Sequence, residues 1–356
     1  MCQFSHFSSL PGCGAAGTFT LLRPLDAFPS PDFPRRAGEQ SPVHLWFSPL
    51  SPALDRTLLR RNLWIAHTVF RLPAGPLSFP ASHIPFFPPG IPCRDSLPPA
   101  HRLLSVLEEE ADPASLWEFF SDTPEAVLFL TWLYSDLGAV HSLASLRSYG
   151  LRTQVWRGRL GQRCRVHCRL VPLRCPPVPE AGGRAGASPA CLKREWKRQI
   201  DAGSPPEYIL YIQRLPGKNG CAFPDPFPEN ADLWEESRCP LEAVGCLRLD
   251  VPLPGPPHPP FLPCPCGADG LEPEGPSAPA SVSLAGSFYR SLSSRQRDRL
   301  AASLAAQLRP LPQPVRRKIL RILRLADAGY SAQVRLKLSA PEPAAPTSAF
   351  YALSEA

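Results

Sequence analysis

The chain has no run of about 18 apolar residues, the length that a helix needs to cross a bilayer. Its N-terminus has no basic stretch followed by an apolar one, which is the pattern of a secretory signal. The glycine-rich phosphate loop and the Gly-x-Ser-x-Gly elbow of serine hydrolases are absent as well. These absences predict a soluble, intracellular protein that has neither membrane nor P-loop nucleotide as a partner.

Glycine is scarce relative to proline, with 23 glycines and 48 prolines. The proline share is more than twice the usual ~5%, and the prolines cluster in residues 24–100, 172–189 and 251–279. Each proline fixes φ and removes an amide donor, so such stretches do not sustain a helix or a central strand. Residues 29–100 also show neither a two-residue nor a 3.6-residue hydrophobic period. We therefore predict that residues 1–95 are proline-rich and disordered and that 256–280 form a proline-rich linker.

The net charge of +7 is mild for 356 residues, and the arginines are spread out except around residues 315–324. That balance does not by itself predict nucleic acid as a partner. The exception is a basic stripe that lies beside an apolar helix face. We interpret it as a solvated helix face, with anionic lipid or nucleic acid as the alternative ligand. The basic stripe consists of Arg316, Arg317, Lys318, Arg321 and Arg324.

Twelve cysteines are present, and an intracellular compartment favours free thiols over disulfides. Cys164, His167 and Cys168 could supply three metal ligands. Further ligands could come from His258, Cys264 and Cys266. The chain lacks, however, the paired Cys-x2-Cys spacing of zinc sites, and on a strand Cys164 and Cys168 face away from His167. We therefore predict core thiols and no metal site.

Hydrophobic periodicity predicts regular elements after residue 100. A short helix is predicted at 103–110. Thr123 and Pro124 are typical of a helix start, so residues 124–136 are predicted to form a helix with a broad apolar side that ends near Gly138. Residues 153–171 alternate around a glycine-flanked turn, which is typical of a β-hairpin with one wet face.

The second half of the chain also mixes strands and helices. Short strands are predicted at 208–214 and 244–251. Between 287 and 338 the period becomes helical, and the prolines of residues 310–314 separate two helices. The sequence therefore predicts an α+β protein.

Several motifs resemble those of the haem catalase family. Residues 117–125 resemble its Trp-Asp-Phe and Pro-Glu-Ser elements, and Ser135–Gly138 resembles its Ser-Asp-Arg-Gly turn. The register then runs without a gap to Tyr149-Gly150, where the family has Gly-Tyr-Gly. Arg165-Val166-His167 falls where the family has a Lys-Phe-His strand. Later segments that resemble catalases are 200–203, 211–213, 223–227, 234–241, 244–249 and 288–300.

The resemblance covers roughly residues 95–255 and 281–339. It implies a partial antiparallel catalase-like β-barrel in 96–255, catalase-like C-terminal helices in 281–339 and a tail in 340–356. It also implies hydrogen peroxide as the substrate, haem as the cofactor, a homo-oligomer and a peroxisomal location. The chain end is not the Ser-Lys-Leu peroxisomal address, so the cytoplasm is the alternative location.

The residues that catalase chemistry uses are not found in their family contexts. Catalases bind haem iron through a proximal tyrosine, which the family carries in an Arg-x-Phe-x-Tyr-x-Asp segment after the strand that residues 244–249 resemble. Residues 252–280 contain no tyrosine. None of the chain's tyrosines has the motif's neighbours: Tyr134, Tyr149, Tyr208, Tyr211, Tyr289, Tyr330 and Tyr351.

The distal side of the family's site is not matched either. His67 is the nearest counterpart of the distal histidine, but the residues after it differ from the family's Val-His-Ala-Arg-Gly context. Asn62 is the only asparagine before Asn219, and its neighbours do not resemble the family's segment. Without this pair, no residue is positioned to move the peroxide proton. The resemblance thus assigns no catalytic residue and leaves haem-binding residues unknown.

Other matched positions also depart from the family. Leu137 replaces the arginine of the turn, and Leu143 and Ser145 stand where the family has a His-x-His pair. Asp232 stands near a lysine of NADPH-binding catalases, so NADPH is not expected. Our hypothesis is a catalase relative of weak or lost activity. Two alternatives are residual turnover on His167 or Tyr149, and a non-catalytic protein that associates with an intact catalase.

Overall fold

Eight antiparallel strands close into a ring in the computed structural model, which describes residues 12–49, 63–85, 113–150, 154–174, 188–216, 239–253 and 278–340. The ten strands of the sheet are β1 (Cys13–Leu21), β2 (Ala27–Phe28), β3 (Gln40–Pro49), β4 (Trp64–Leu72), β5 (Gly75–Ser82), β6 (Ser148–Gly150), β7 (Gln154–Gly158), β8 (Arg163–Pro172), β9 (Glu207–Pro216) and β10 (Glu242–Leu253). The ring runs β1-β3-β4-β5-β6-β8-β9-β10 and returns to β1. Strands β7 and β2 extend the sheet outward from β8.

The prediction that residues 1–95 are disordered is wrong for 12–49 and 63–85, because these parts contain five strands. Four of them, β1, β3, β4 and β5, supply half of the ring. The barrel is consequently closed rather than partial. The α+β class, with an antiparallel barrel followed by C-terminal helices, is confirmed.

The N-terminal strands lack a visible period for physical reasons. Eight of the nine residues of β4 are buried, so both of its faces are covered and no alternation between buried and exposed residues appears. In β5, Pro76 and Pro80 pair with β4 on one side, whereas β6 pairs only with Ala81 and Ser82. Among the described residues, no strand pairs with the other edge of β5 at the prolines, where a missing amide donor costs no ladder hydrogen bond.

Inward-facing side chains fill the barrel with aromatic rings. Phe70 contacts Phe19 at 5.0 Å and Phe79 at 5.3 Å between ring centroids, in both cases edge to face. Phe33, from the segment after β2, lies 5.1 Å from Phe70 and 6.1 Å from Trp156. Such edge-on packing is favourable for aromatic quadrupoles, and it leaves a filled interior.

Seven α-helices are described. They are α1 (Pro113–Asp122), α2 (Ala126–Tyr134), α3 (Pro189–Asp201), α4 (Ala278–Ser291), α5 (Ser294–Leu308), α6 (Gln313–Ala326) and α7 (Ala328–Ser339). Helix α3 packs on the barrel, whereas the other six share a second core that includes Trp117, Tyr134, Leu304, Ile319 and Tyr330. None of the described helices combines the length and apolar character needed to cross a membrane.

Most predicted elements after residue 110 are confirmed, with shifted ends. The helix predicted at 124–136 spans 126–134, and the hairpin predicted at 153–171 is β7 and β8. Its outer face is exposed near the turn at Arg163 but buried at His167, so that face is only partly wet. The break at 310–314 separates α5 from α6. The helix predicted at 103–110 and most of the linker at 256–280 lie outside the described residues.

The Ser-Asp-Leu-Gly turn joins the barrel side of the molecule to the C-terminal helices. Its residues Asp136–Gly138 form a 3-10 turn that Ser135 caps by accepting from the Leu137 amide. Both carboxylate oxygens of Asp136 accept hydrogen bonds from Arg299 of α5, one of them at 2.9 Å. This fork contact is stronger and more directional than a single ion pair.

Removing the Asp136–Arg299 pair should weaken the contact between α5 and the turn. We expect a coupling of about 1 kcal/mol between Asp136→Asn and Arg299→Gln in a double-mutant cycle, because the pair is partly shielded from water. Urea unfolding measures it. The matched control is the exposed Lys197–Asp201 pair on α3, at 2.5 Å, which should couple by only a few tenths of a kcal/mol, ~0.3. Equal couplings for the two pairs would contradict this expectation.

Candidate functional site

Tyr149 and Arg169 face each other on the outer wall of the barrel. They are directly paired across β6 and β8, and the Arg169 guanidinium carbon lies 5.6 Å from the centroid of the Tyr149 ring. Trp132 of α2 meets the same ring edge to face at 5.9 Å. Helix α2 therefore covers Tyr149, whose exposed fraction is 7%. The cation and the indole hold the phenol ring as part of the contact between helix and barrel.

His167 lies on the same outer face and contacts β6. Its Nε2 is 2.7 Å from the carbonyl oxygen of Gly150. Because a carbonyl only accepts, Nε2 must carry the proton and offers no lone pair to a metal. Burial lowers the pKa of His167 to about 4, with the Gly150 carbonyl opposing this and Arg169 assisting it. His167 is thus a neutral donor that links β8 to β6.

Gln213 continues this network onto β9. It pairs with His167 across β8 and β9, and its Oε1 accepts from Arg169 at 2.9 Å. Its Nε2 donates to the carbonyl oxygen of Cys239 at 2.6 Å. A buried amide that both accepts and donates fixes the register of three segments. We call Tyr149, His167, Arg169 and Gln213 the outer polar cluster.

Two further histidines are buried on or beside the barrel wall. His67 is on β4 and faces outward, because its neighbours Ala66 and Thr68 face the interior. His83 follows β5, and its Nδ1 lies 3.3 Å from both the amide nitrogen and the carbonyl oxygen of Trp64. Burial lowers the pKa of each imidazole to about 4. Both are therefore neutral at physiological pH.

The described tyrosine hydroxyls with resolved hydrogen bonds are committed to protein acceptors. Tyr208 donates to the carbonyl oxygen of Leu143 at 2.7 Å, and Tyr289 donates to Oε1 of Gln333 at 2.5 Å. Tyr330 lies fully buried with its hydroxyl 3.3 Å from that of Thr131. Burial raises the pKa of both Tyr289 and Tyr330. The raised pKa keeps these phenols protonated, which opposes the phenolate form.

A small cavity remains inside the barrel. It offers about 10 Å³, room for about one water molecule. Its wall is mostly apolar, with Thr68 and Gln154 as the main polar side chains. The remaining lining residues include Phe79, Ala81, Gly150, Cys168, Leu170 and Leu210.

All six described cysteines have free thiols. Cys164 and Cys168 point into the barrel, away from His167, as predicted. Burial raises the pKa of Cys168 to about 12 and that of Cys164 to about 11, so these thiols are unreactive. No group of three metal-ligating side chains occurs among the described residues. His258, Cys264, Cys266, Asn62 and Asp232 lie outside them.

Two family models match the chain. The catalase model matches residues 10–253, and the model described as catalase-related immune-responsive matches residues 281–338. The first match covers more than half of the chain. The chain belongs to the catalase family. The prediction of family membership is thereby confirmed, and the match includes the N-terminal strands that periodicity missed.

Individual catalase relatives support the same assignment. A bromoperoxidase-catalase of Streptomyces venezuelae is 24% identical over 67% of this chain and 50% of its own length. A catalase of Rattus norvegicus is 31% identical over 39% of this chain and 27% of its own length. The chain spans about half the length of the Streptomyces and Listeria relatives it matches. Catalase A from Saccharomyces cerevisiae has the same fold, with a TM-score of 0.72 at 16% identity over 92% of this chain and 89% of that one.

The described residues do not fit a haem. A porphyrin-sized ligand needs a pocket of several hundred Å³, ~300 or more, whereas the barrel cavity holds about one water. Its iron needs an anionic phenolate or a free imidazole nitrogen. Tyr208, Tyr289 and Tyr330 instead have their hydroxyls in internal contacts. His167 donates its Nε2 proton to a backbone carbonyl, and its Nδ1 is buried in the barrel wall.

The structure shows where the residues near the family's distal and turn motifs lie. His67 was predicted to lie in an unpatterned segment, but it occupies a central strand. Leu143, which stands in place of a family histidine, is fully buried and accepts from Tyr208 through its carbonyl. His83 was not predicted at all. Only a strand assignment for residues 75–82 would have pointed to it, and the prolines concealed that strand.

Proposed function

We propose that this chain is a catalase-family protein that does not disproportionate hydrogen peroxide. Its family's cofactor is haem, and the described part of the chain uses its histidines and tyrosines to hold the fold together. The outer polar cluster carries this proposal. Its histidine, arginine and glutamine form hydrogen bonds with one another or with the backbone across β6, β8 and β9. Its tyrosine is enclosed by Trp132 and Arg169.

Residual turnover on His167 or Tyr149 is the enzymatic alternative. With Nε2 of His167 protonated toward Gly150, iron could bind only at Nδ1, and that atom is buried in the barrel wall. For Tyr149, the ring would have to leave the aromatic contact with Trp132. Iron could reach either group only if the packed barrel wall opened, so the geometry favours a structural role for each residue.

Haemin titration of the full chain tests the proposed loss of activity. We expect no Soret band of bound haem and an oxygen-release rate from peroxide at least ~100-fold below that of an intact catalase, because the acid-base pair alone contributes 10²–10⁴-fold. Rat catalase, purified and loaded in the same way, is the control. A tight high-spin Soret signal with rapid oxygen release would overturn the proposal. Loss of that activity in Tyr149→Phe or His167→Gln would identify the ligand.

A second proposed role is association with an intact catalase in the cytoplasm or the peroxisome. The observation that favours it is the retention of both matched segments, a closed barrel and the C-terminal helices. Co-expression with an intact catalase followed by size-exclusion chromatography tests it. Co-elution in a stable complex supports this role, and separate elution at micromolar concentration counts against it.

A further inference from the structure

Almost all of the chain's net charge lies in its last two helices. Residues 313–339 contain seven basic residues and one acidic residue, a net charge of +6, whereas the whole chain has a net charge of +7. The other 329 residues are therefore nearly balanced, with a net charge of +1. A charge confined to one short helix pair concentrates the electrostatic potential there.

Helix α6 presents this charge on its solvent side. Val315, Ile319, Ile322, Leu323 and Ala326 are buried against the helical core. The opposite side carries three exposed arginines at i, i+4 and i+7, which we call the outward arginines: Arg317, Arg321 and Arg324. At 1.5 Å per residue they lie along a line of about 10 Å. Helix α6 has no acidic residue of its own.

The carboxylates near α6 form ion pairs with cations other than the outward arginines. Asp122 of α1 pairs with Lys318 at 2.6 Å, and Asp298 of α5 pairs with Lys337 at 2.6 Å. Asp327, the one acidic residue in 313–339, contacts Arg290 at 3.2 Å and caps the N-terminus of α7. Within the part of the chain that the structure describes, the outward arginines therefore have no carboxylate ion pair.

An exposed leucine lies within the same surface. Leu325 is 66% exposed and stands one helical turn after Arg321. If α6 bound the phosphate backbone of a nucleic acid, the Leu325 side chain would stay in water. On a membrane, the boundary between lipid headgroups and acyl chains can bury it. A membrane surface can also accept arginine and leucine side chains together without a pocket that matches their shape. These two points favour a lipid surface over nucleic acid.

We propose that the solvent face of α6 docks on the surface of a membrane rich in anionic phospholipid. The outward arginines bind the lipid phosphates and carboxylates through their guanidinium forks, and Leu325 enters the headgroup boundary. Docking of this kind leaves the fold intact, because the apolar face of α6 stays in the helical core. This role is separate from the proposed loss of catalase activity and does not depend on it.

Vesicle sedimentation with the full chain tests the proposal. Vesicles with about one-third phosphatidylserine should bind the chain, and pure phosphatidylcholine vesicles should not. The variant Arg317→Gln/Arg321→Gln/Arg324→Gln should bind about 100-fold more weakly, because each arginine near the surface contributes about fivefold. The control Arg71→Gln/Arg157→Gln/Arg159→Gln removes the same charge from exposed positions on the barrel and should bind as the unchanged chain does.

Other occupants of this face give different results. If the two triple variants weakened vesicle binding equally, net charge alone would explain the binding, and the proposal would be overturned. Tighter binding to single-stranded RNA than to the anionic vesicles, lost in the α6 variant, would also overturn it in favour of nucleic acid. The acidic run Glu108–Glu110 precedes α1, which packs beside α6. Vesicle binding only after Glu108→Gln/Glu109→Gln/Glu110→Gln would make this run the occupant and overturn the proposal.

Discussion

Acid is expected to destabilise this protein strongly between pH 6.5 and 4, through its buried histidines. The pKa values of His67, His83 and His167 are lowered by burial from 6.5 to about 4. Between these pH values the unfolded chain binds three more protons than the folded one. The stability present above pH 6.5 is thus lost as the pH falls, by roughly 3 kcal/mol for each histidine at pH 4. The total is comparable to the whole stability of a typical domain, about 5–15 kcal/mol.

Urea unfolding at a series of pH values between 7.5 and 4.5 measures this effect. The variant His67→Leu should lose about one-third of the pH dependence, because it removes one of the three titrating groups. Val69→Ala, on the same outward face of β4 and equally buried, is the matched control. It should lower stability at every pH without changing the slope. A free energy of unfolding that stays flat from pH 7 to 5 would contradict the expectation.

The variant Trp196→Ala is expected to cost about 3–5 kcal/mol. Trp196 of α3 is 1% exposed, packs edge to face on Phe47 at 5.2 Å and donates its indole proton to the carbonyl oxygen of Gly14 at 3.2 Å. It therefore ties α3 to both β1 and β3. Alanine removes the ring and leaves a cavity and an unsatisfied carbonyl.

Thermal and urea unfolding of two further variants separate these contributions. Trp196→Phe keeps an aromatic ring and should cost about 1–2 kcal/mol, mainly for the lost hydrogen bond and the smaller volume. Lys197→Ala, next along α3 with its side chain 67% exposed, should change stability by less than ~0.5 kcal/mol. A small loss in Trp196→Ala, no larger than that of the lysine variant, would show that α3 does not depend on this anchor.

Local patterns in the sequence predict the fold well where one face of an element is wet. The C-terminal helices have clear apolar stripes and a proline break, and the β7–β8 hairpin has a turn with glycine. The N-terminal strands lack such a local pattern, and the reason differs between strands. Strand β4 is buried on both faces. The alternation of β1 is visible only over Gly17–Leu21, where Phe19 and Leu21 face inward. Such a short alternation does not distinguish a strand from chance.

The outer polar cluster could be predicted only in part. The alternation on β8 correctly places His167 and Arg169 on one face. Their partners depend on strand register, which pairs Arg169 with Tyr149 and His167 with Gln213. Register between distant strands follows from packing of the whole barrel rather than from any local residue pattern. The conclusion that these groups hold the wall together therefore required the three-dimensional arrangement.

Closure of the ring has a consequence for synthesis on the ribosome. Leu21 of β1 pairs with Gly245 of β10, so the last seam joins positions that are made far apart in time. At 5–20 residues per second, the intervening chain takes roughly 10–50 s to emerge. Throughout that interval one edge of β1 presents unpaired amides and carbonyls to other nascent chains. Holdase chaperones that shield this edge until β10 arrives are therefore expected to govern the yield of folded protein in the cell.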